Sequence, residues 1–191
     1  TKKVVYTVKD SYEQTNSYDF SYAVDNKNPV VNITAVTPKV ENTTAGSPYF
    51  FFFLINVTFN ASDNYNLAKV EYYCFDGTDA TNISIKDAEN GSGIVAKIGD
   101  AALTQYKGSG TQDDLNVLSG KFEGDDSQDK FGKTVIIDTT KISANETQKN
   151  LLIVFKATDK ANNVTYAANK FIVDQTTDRP TISPSNFSAG I

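Results

Sequence analysis

Three carboxylates fall within six residues at Gly124, Asp125, Asp126, Ser127, Gln128 and Asp129. Asp125, Ser127 and Asp129 have the alternate spacing of the first ligands in a calcium loop. An EF-hand would continue with Gly at the next position and Glu at the twelfth. Lys130 and Ile136 stand there instead. The chemistry open to this segment is therefore a looser oxygen-ligand calcium site, and a solvated acidic turn is the plainer reading. Nucleophilic and acid–base chemistry is poorly supplied. His is absent, which removes the usual general base and the commonest metal ligand. Cys74 is the single cysteine, so neither an intrachain disulfide nor a cysteine-based zinc site can form. No basic neighbour would activate Cys74, and it reads as a small buried apolar residue. Gly91 to Gly93 and Gly108 to Gly110 punctuate loops and are followed by no phosphate-loop lysine. No cleft signal accompanies any pair of carboxylates. The expectation is a protein that is not an enzyme and needs no cofactor, calcium apart.

The densest chemical signal is a set of nine Asn-x-Ser/Thr triplets, at Asn32, Asn42, Asn56, Asn60, Asn82, Asn90, Asn145, Asn163 and Asn186. Eighteen Asn and 35 Ser plus Thr in 191 residues predict only about three by chance. An N-glycan is bulky and hydrated, so its acceptor must face solvent. The excess points to a glycosylated, extracellular, cell-surface protein.

The bulk composition agrees. The net charge is -5, with no basic stripe to neutralise phosphates, so nucleic acid is not an expected partner. No apolar run reaches transmembrane length, and no signal peptide opens the chain. A surface protein lacking one would be a mature or excised form. Small extracellular domains often rely on disulfides; this one must rely on its core, its glycans or assembly.

These residues are positioned by strands. Thr, Val, Ile, Tyr and Phe are frequent. Strand patterns cover 30–36, 50–61, 67–75, 82–86, 93–98, 133–138, 151–158 and 164–173, divided by Asn/Asp/Gly turns. At most one helical turn fits 113–118. The chain also repeats itself. Residues 6–25 align without gaps to 155–174 at an offset of 149, placing Asp10 on Asp159, Tyr22 on Phe171, Val24 on Val173 and Asp25 on Asp174. Each copy is followed by a proline-led strand, at Pro29 and Pro180. Such self-similarity implies tandem modules.

Residues 59–78 and 155–180 resemble the B–C region and the closing F–G hairpin with its linker in bacterial and archaeal immunoglobulin-like tandem repeats of surface, S-layer, filament and adhesin proteins. The resemblance implies an all-β, immunoglobulin-like β-sandwich. Its modules are usually shorter, and the surplus here falls in an insertion at about 87–132. The implied organisation is three-part. Residues 1–27 are the terminal strands of a preceding module, or strands donated to a neighbouring subunit. Residues 28–176 are one complete sandwich, and 177–191 are a linker and the first strand of a following module. Asp25 and Asp174 then mark equivalent module ends, with Asp63, Asp159 and Asp178 near junctions. Calcium could bridge modules there, although turn chemistry accounts equally for Asp at such places and is the reading the sequence favours.

Strand alternation assigns faces. With 50–61 as one strand, Phe51, Phe53, Ile55, Val57 and Phe59 face the core. Phe50, Phe52 and Leu54 face outward beside Asn56 and Asn60, and so need a cover from the insertion, another module or another subunit. In the next strand Val70, Tyr72 and Cys74 oppose Glu71, Tyr73 and Phe75. The function expected is that of a structural unit in an S-layer or surface filament, joined to copies of itself or adjacent modules by strand and apolar contacts. An adhesin-type module that recognises glycan or protein through the 100–132 loop is the alternative.

Overall fold

The structure, a computed structural model, describes residues 2–37, 40–41, 49–51, 54–89, 93–106, 118–124, 130–142 and 148–175. Among the described residues, fifteen strands and one 3-10 turn follow in chain order. They are β1 (Lys2–Lys9), β2 (Thr15–Tyr22), β3 (Val30–Thr37), β4 (Val40–Glu41), β5 (Tyr49–Phe51), β6 (Leu54–Ser62), β7 (Leu67–Asp76) and β8 (Ile83–Asp87). After these come β9 (Ile94–Ile98), β10 (Ala101–Ala102), β11 (Thr104–Gln105), β12 (Ser119–Glu123), β13 (Lys130–Asp138), the 3-10 turn (Thr139–Lys141), β14 (Lys149–Asp159) and β15 (Val164–Val173).

The protein is an all-β sandwich. One sheet has the order β13-β6-β3. The facing sheet runs β11-β7-β14-β15-β5-β4, with β12 also on β7. β5 pairs with β15 in parallel, and the other pairings of these two sheets are antiparallel. Of the six long strands in these two sheets, the first, second and fourth (β3, β6 and β13) share one sheet and the third, fifth and sixth (β7, β14 and β15) the other, a crossing pattern like that of an immunoglobulin-like sandwich. Alternation drives the packing. β6 buries Ile55, Val57, Phe59 and Ala61 and turns Leu54, Asn56 and Asn60 to solvent. Val31, Val135 and Ile137 join that inner face, and Val70, Tyr72, Cys74, Leu151, Ile153, Phe155, Ala157, Phe171 and Val173 oppose it. Phe59 and Phe155 sit at the centre, with ring centroids 4.6 Å apart.

Residues 83–102 contribute a third layer, which starts ahead of the expected insertion at about 87–132. β8, β9 and β10 form their own sheet, and Ile94 and Ala96 cover Tyr73, Phe75, Leu152 and Val154. β7 and β14 are therefore buried on both faces. Val70, Tyr72 and Cys74 do oppose Tyr73 and Phe75, each set in its own core. The expected single strand over 50–61 is corrected. β5 belongs to the large sheet and β6 to the small one, so the chain changes sheets between them. Phe50 lies opposite Ile172, whereas Leu54 lies opposite Asp138. Phe50 and Leu54 therefore stand on different strands, and Phe52 lies outside the described residues.

The N-terminal hairpin β1–β2 is a separate two-stranded sheet. Its pairing puts Lys2, Val4, Tyr6, Val8, Asn16, Tyr18, Phe20 and Tyr22 on one, mostly apolar face and Lys3, Val5, Thr7, Lys9, Thr15, Ser17, Asp19 and Ser21 on the other, mostly polar face. The polar face is knitted by a Lys3–Asp19 ion pair and a Thr7–Ser17 hydrogen bond. The apolar face stands in water, with Tyr6, Tyr18 and Phe20 each more than half exposed.

Candidate functional site

Three turns meet where the hairpin linker reaches the sandwich. Asp25 ends the segment after β2, Asp63 opens the β6–β7 turn, and Asp159 opens the β14–β15 turn. In each residue one carboxylate oxygen does local work. Asp25 Oδ1 accepts the Lys27 backbone N–H at 3.0 Å. Asp63 Oδ2 accepts Tyr65 N–H at 2.7 Å and Asn66 N–H at 3.3 Å. Asp159 Oδ1 accepts Ala161 and Asn163 N–H, both at 2.8 Å. These are the turn bonds that short acidic side chains favour.

The turns also bring the three carboxylates together. One oxygen from each lies within 4.8 Å of the other two. Asp159 is buried, and Asp25 and Asp63 are partly buried. Asp25 Oδ2 and Asp63 Oδ1 are each shut off from solvent, exposing less than 1 Å², and accept no hydrogen bond. Neutral donors surround the group. Asn64 Nδ2 donates to Asp25 Oδ1 at 3.2 Å, and Asn163 Nδ2 donates to Asp159 Oδ2 at 2.8 Å and to the Asp25 carbonyl at 3.2 Å. The Lys27 N–H, then the Asn64 amide, hold the Asp25 carboxyl below its ordinary range. Among the described residues, no lysine or arginine forms an ion pair with any of the three. The sequence named all three near junctions and favoured turn chemistry for them. The structure shows that the turn uses one oxygen of each carboxylate and leaves the other free in two of them.

A second polar group lies under the third sheet. Buried Lys156 reaches Asp87 at 2.5 Å and Glu71 at 3.9 Å, and Tyr166 donates to the same Asp87 oxygen at 2.8 Å. The Lys156 ammonium holds the Asp87 carboxyl below its usual range. Burial, with Glu71 and Asp87 nearby, pushes the Tyr73 phenol up to about 12. Sequence reasoning missed this group. Its contacts join residues 69 to 85 positions apart, and no local spacing signals them. Cys74 is fully buried, and burial pushes its thiol up. A shallow depression on β8 and β9, lined by Lys86, Ala88, Glu89, Val95 and Lys97, opens broadly to solvent.

The sequons divide by position. Asn32, Asn56 and Asn60 are exposed on the outer face of the small sheet, and Asn82 is exposed before β8. Gly132 lies opposite Asn60, where a Cβ would collide with the Asn60 amide oxygen. Asn163 is half-buried, and its amide spans Asp25 and Asp159. Asn42, Asn90, Asn145 and Asn186 lie outside the described residues, as do Asp125, Ser127, Asp129, Phe52 and Asp178; only the backbone of Phe50 is described. Asp174 is buried and stands apart from the three-carboxylate group. No helix among the described residues is long and apolar enough to cross a membrane. No family model matches this chain, and no curated protein matches it either.

Proposed function

We propose that this chain is a structural unit of a glycosylated extracellular assembly, an S-layer or surface filament, built of tandem sandwiches. In this reading the hairpin β1–β2 closes another sandwich of the same kind. One observation carries it. At the offset of 149, β1–β2 and β14–β15 agree pair by pair. Lys2, Val4 and Tyr6 lie opposite Tyr22, Phe20 and Tyr18, as Leu151, Ile153 and Phe155 lie opposite Phe171, Asn169 and Ala167. The turns agree as well. Asp10 Oδ1 accepts the N–H groups two and four residues on, as Asp159 Oδ1 does. Glu13 and Asn162, the fourth residue of each turn, have φ of 66° and 67°. A Glu seldom adopts that conformation, so its recurrence at the matching place supports a shared design rather than two unrelated hairpins.

Only the surroundings differ. Phe155 is fully buried in the sandwich, whereas its equivalent Tyr6 is 59% exposed. The missing cover is a small sheet like β13-β6-β3. A second copy of this chain already fills that place with its own β14–β15. The occupant is therefore a sandwich directly N-terminal to the hairpin, made of strands like those of 28–150. The density of sequons, with Asn32, Asn56 and Asn60 on one outer face, supports the exterior location.

A fusion in which residues 28–150 precede Lys2 tests this reading. Hydrogen exchange at the β1–β2 amides should slow to the level of β14–β15. Hairpin amides that still exchange as they do in the chain alone would overturn the reading. Concentration-dependent polymerisation of the unfused chain, abolished by Tyr6→Ser, would replace it with donation between subunits.

A further inference from the structure

We propose that Asp25, Asp63 and Asp159 bind one calcium ion at the junction between the hairpin linker and the sandwich. Three carboxylates so close together repel one another, and two of their oxygens are desolvated without a hydrogen-bond donor. Leaving a buried charged oxygen unpaired is costly, by about 1–3 kcal/mol or more. Those two oxygens, Asp25 Oδ2 and Asp63 Oδ1, point to a ligand independently of the clustering. Each Asp spends one oxygen on its own turn, so the three side chains are oriented before any ion arrives.

The donor set selects among cations. One oxygen from each carboxylate lies close enough to the other two to share an ion. Calcium accepts irregular sets of oxygens, whereas magnesium demands a near-ideal octahedron. Calcium takes about six to eight oxygen ligands, and water would complete the set. No thiolate or imidazole is at hand to favour zinc.

The site joins segments distant in sequence: the linker, the β6–β7 turn and the β14–β15 turn. An ion held by all three would fix the direction in which the hairpin leaves the sandwich. The ion's role in stiffening a row of modules rests on the tandem reading; its binding does not.

Calcium titration of the unaltered chain by calorimetry, with terbium luminescence sensitised by Tyr65, tests the site. One ion per chain should bind. Asp63→Asn and Asp25→Asn, which keep an oxygen for the turn bonds, should each weaken binding at least tenfold. Calcium should also slow exchange of the 23–29 amides in the unaltered chain only. Absence of calcium binding at millimolar concentration would overturn the proposal. Binding that survives both substitutions would overturn it too, and would place the ion elsewhere, such as at Asp125 to Asp129. Neither outcome bears on the fusion experiment, which needs no calcium.

Discussion

Lys156 shows how one residue ties two layers together. Its stem lies in the large sheet, and its ammonium, almost wholly removed from water, meets Asp87 at the end of β8. The Asp87 side chain is half exposed, so solvent screens the pair and its worth is modest. The direction of its pH dependence is still fixed. The folded state holds the Asp87 carboxyl below its unfolded value. Its contribution is therefore complete above about pH 4 and is lost as pH falls through the lower folded value. Asp87→Asn should lower the melting temperature at pH 7, because it leaves Lys156 with only the more distant Glu71. Below pH 4 the gap between variant and parent should close. A gap that stays constant from pH 7 to pH 2.5 in thermal melts would contradict this account.

Two hairpins of one design, in different surroundings, separate local structure from packing. Register, turn bonds and the positive-φ residue are the same in β1–β2 and β14–β15, so local sequence suffices to specify them. Burial is not local. Phe155→Ala removes a ring from the centre of the core and should cost about 3–5 kcal/mol. Tyr6→Ala, at the equivalent place, should cost the isolated chain within about 0.5 kcal/mol, as surface changes do. Denaturant melts of the two variants measure both. In the fusion carrying a preceding sandwich, Tyr6→Ala should become as harmful as a core truncation. The sequence shows both hairpins through their alignment. It could not show the break between β5 and β6, because the run of four Phe at 50–53 keeps the pattern of one long strand. That break is set by which sheet each half can pair with.

The molecule as a whole sorts its surfaces. The outer face of the small sheet carries Asn32, Asn56 and Asn60, so glycans there would keep neighbours from stacking on it. The third sheet covers the opposite side of the sandwich. The hairpin leaves an apolar face exposed to a neighbour. Glycopeptide mass spectrometry of protein from its native source should find Asn56 and Asn60 occupied and Asn163 bare. A sugar on Asn163 Nδ2 leaves one N–H where the structure uses two. A glycosylated Asn163 would mean that the junction opens before modification.

The sequence by itself determined the strand-rich class, most strand positions, the internal repeat and the buried state of Cys74. Each follows from local alternation, turn chemistry or composition. It also named Asp25, Asp63 and Asp159, because Asp at the end of a strand is a local signal. Only the tertiary structure decided that these three converge. They are separated by 38 and 96 residues, and strand pairing across the sheets, not spacing along the chain, sets the distance between them. The same reason hid the Lys156–Asp87 pair and the role of 83–102 as a third layer. An amphipathic strand announces that it has an apolar face, and the fold alone settles what lies against it.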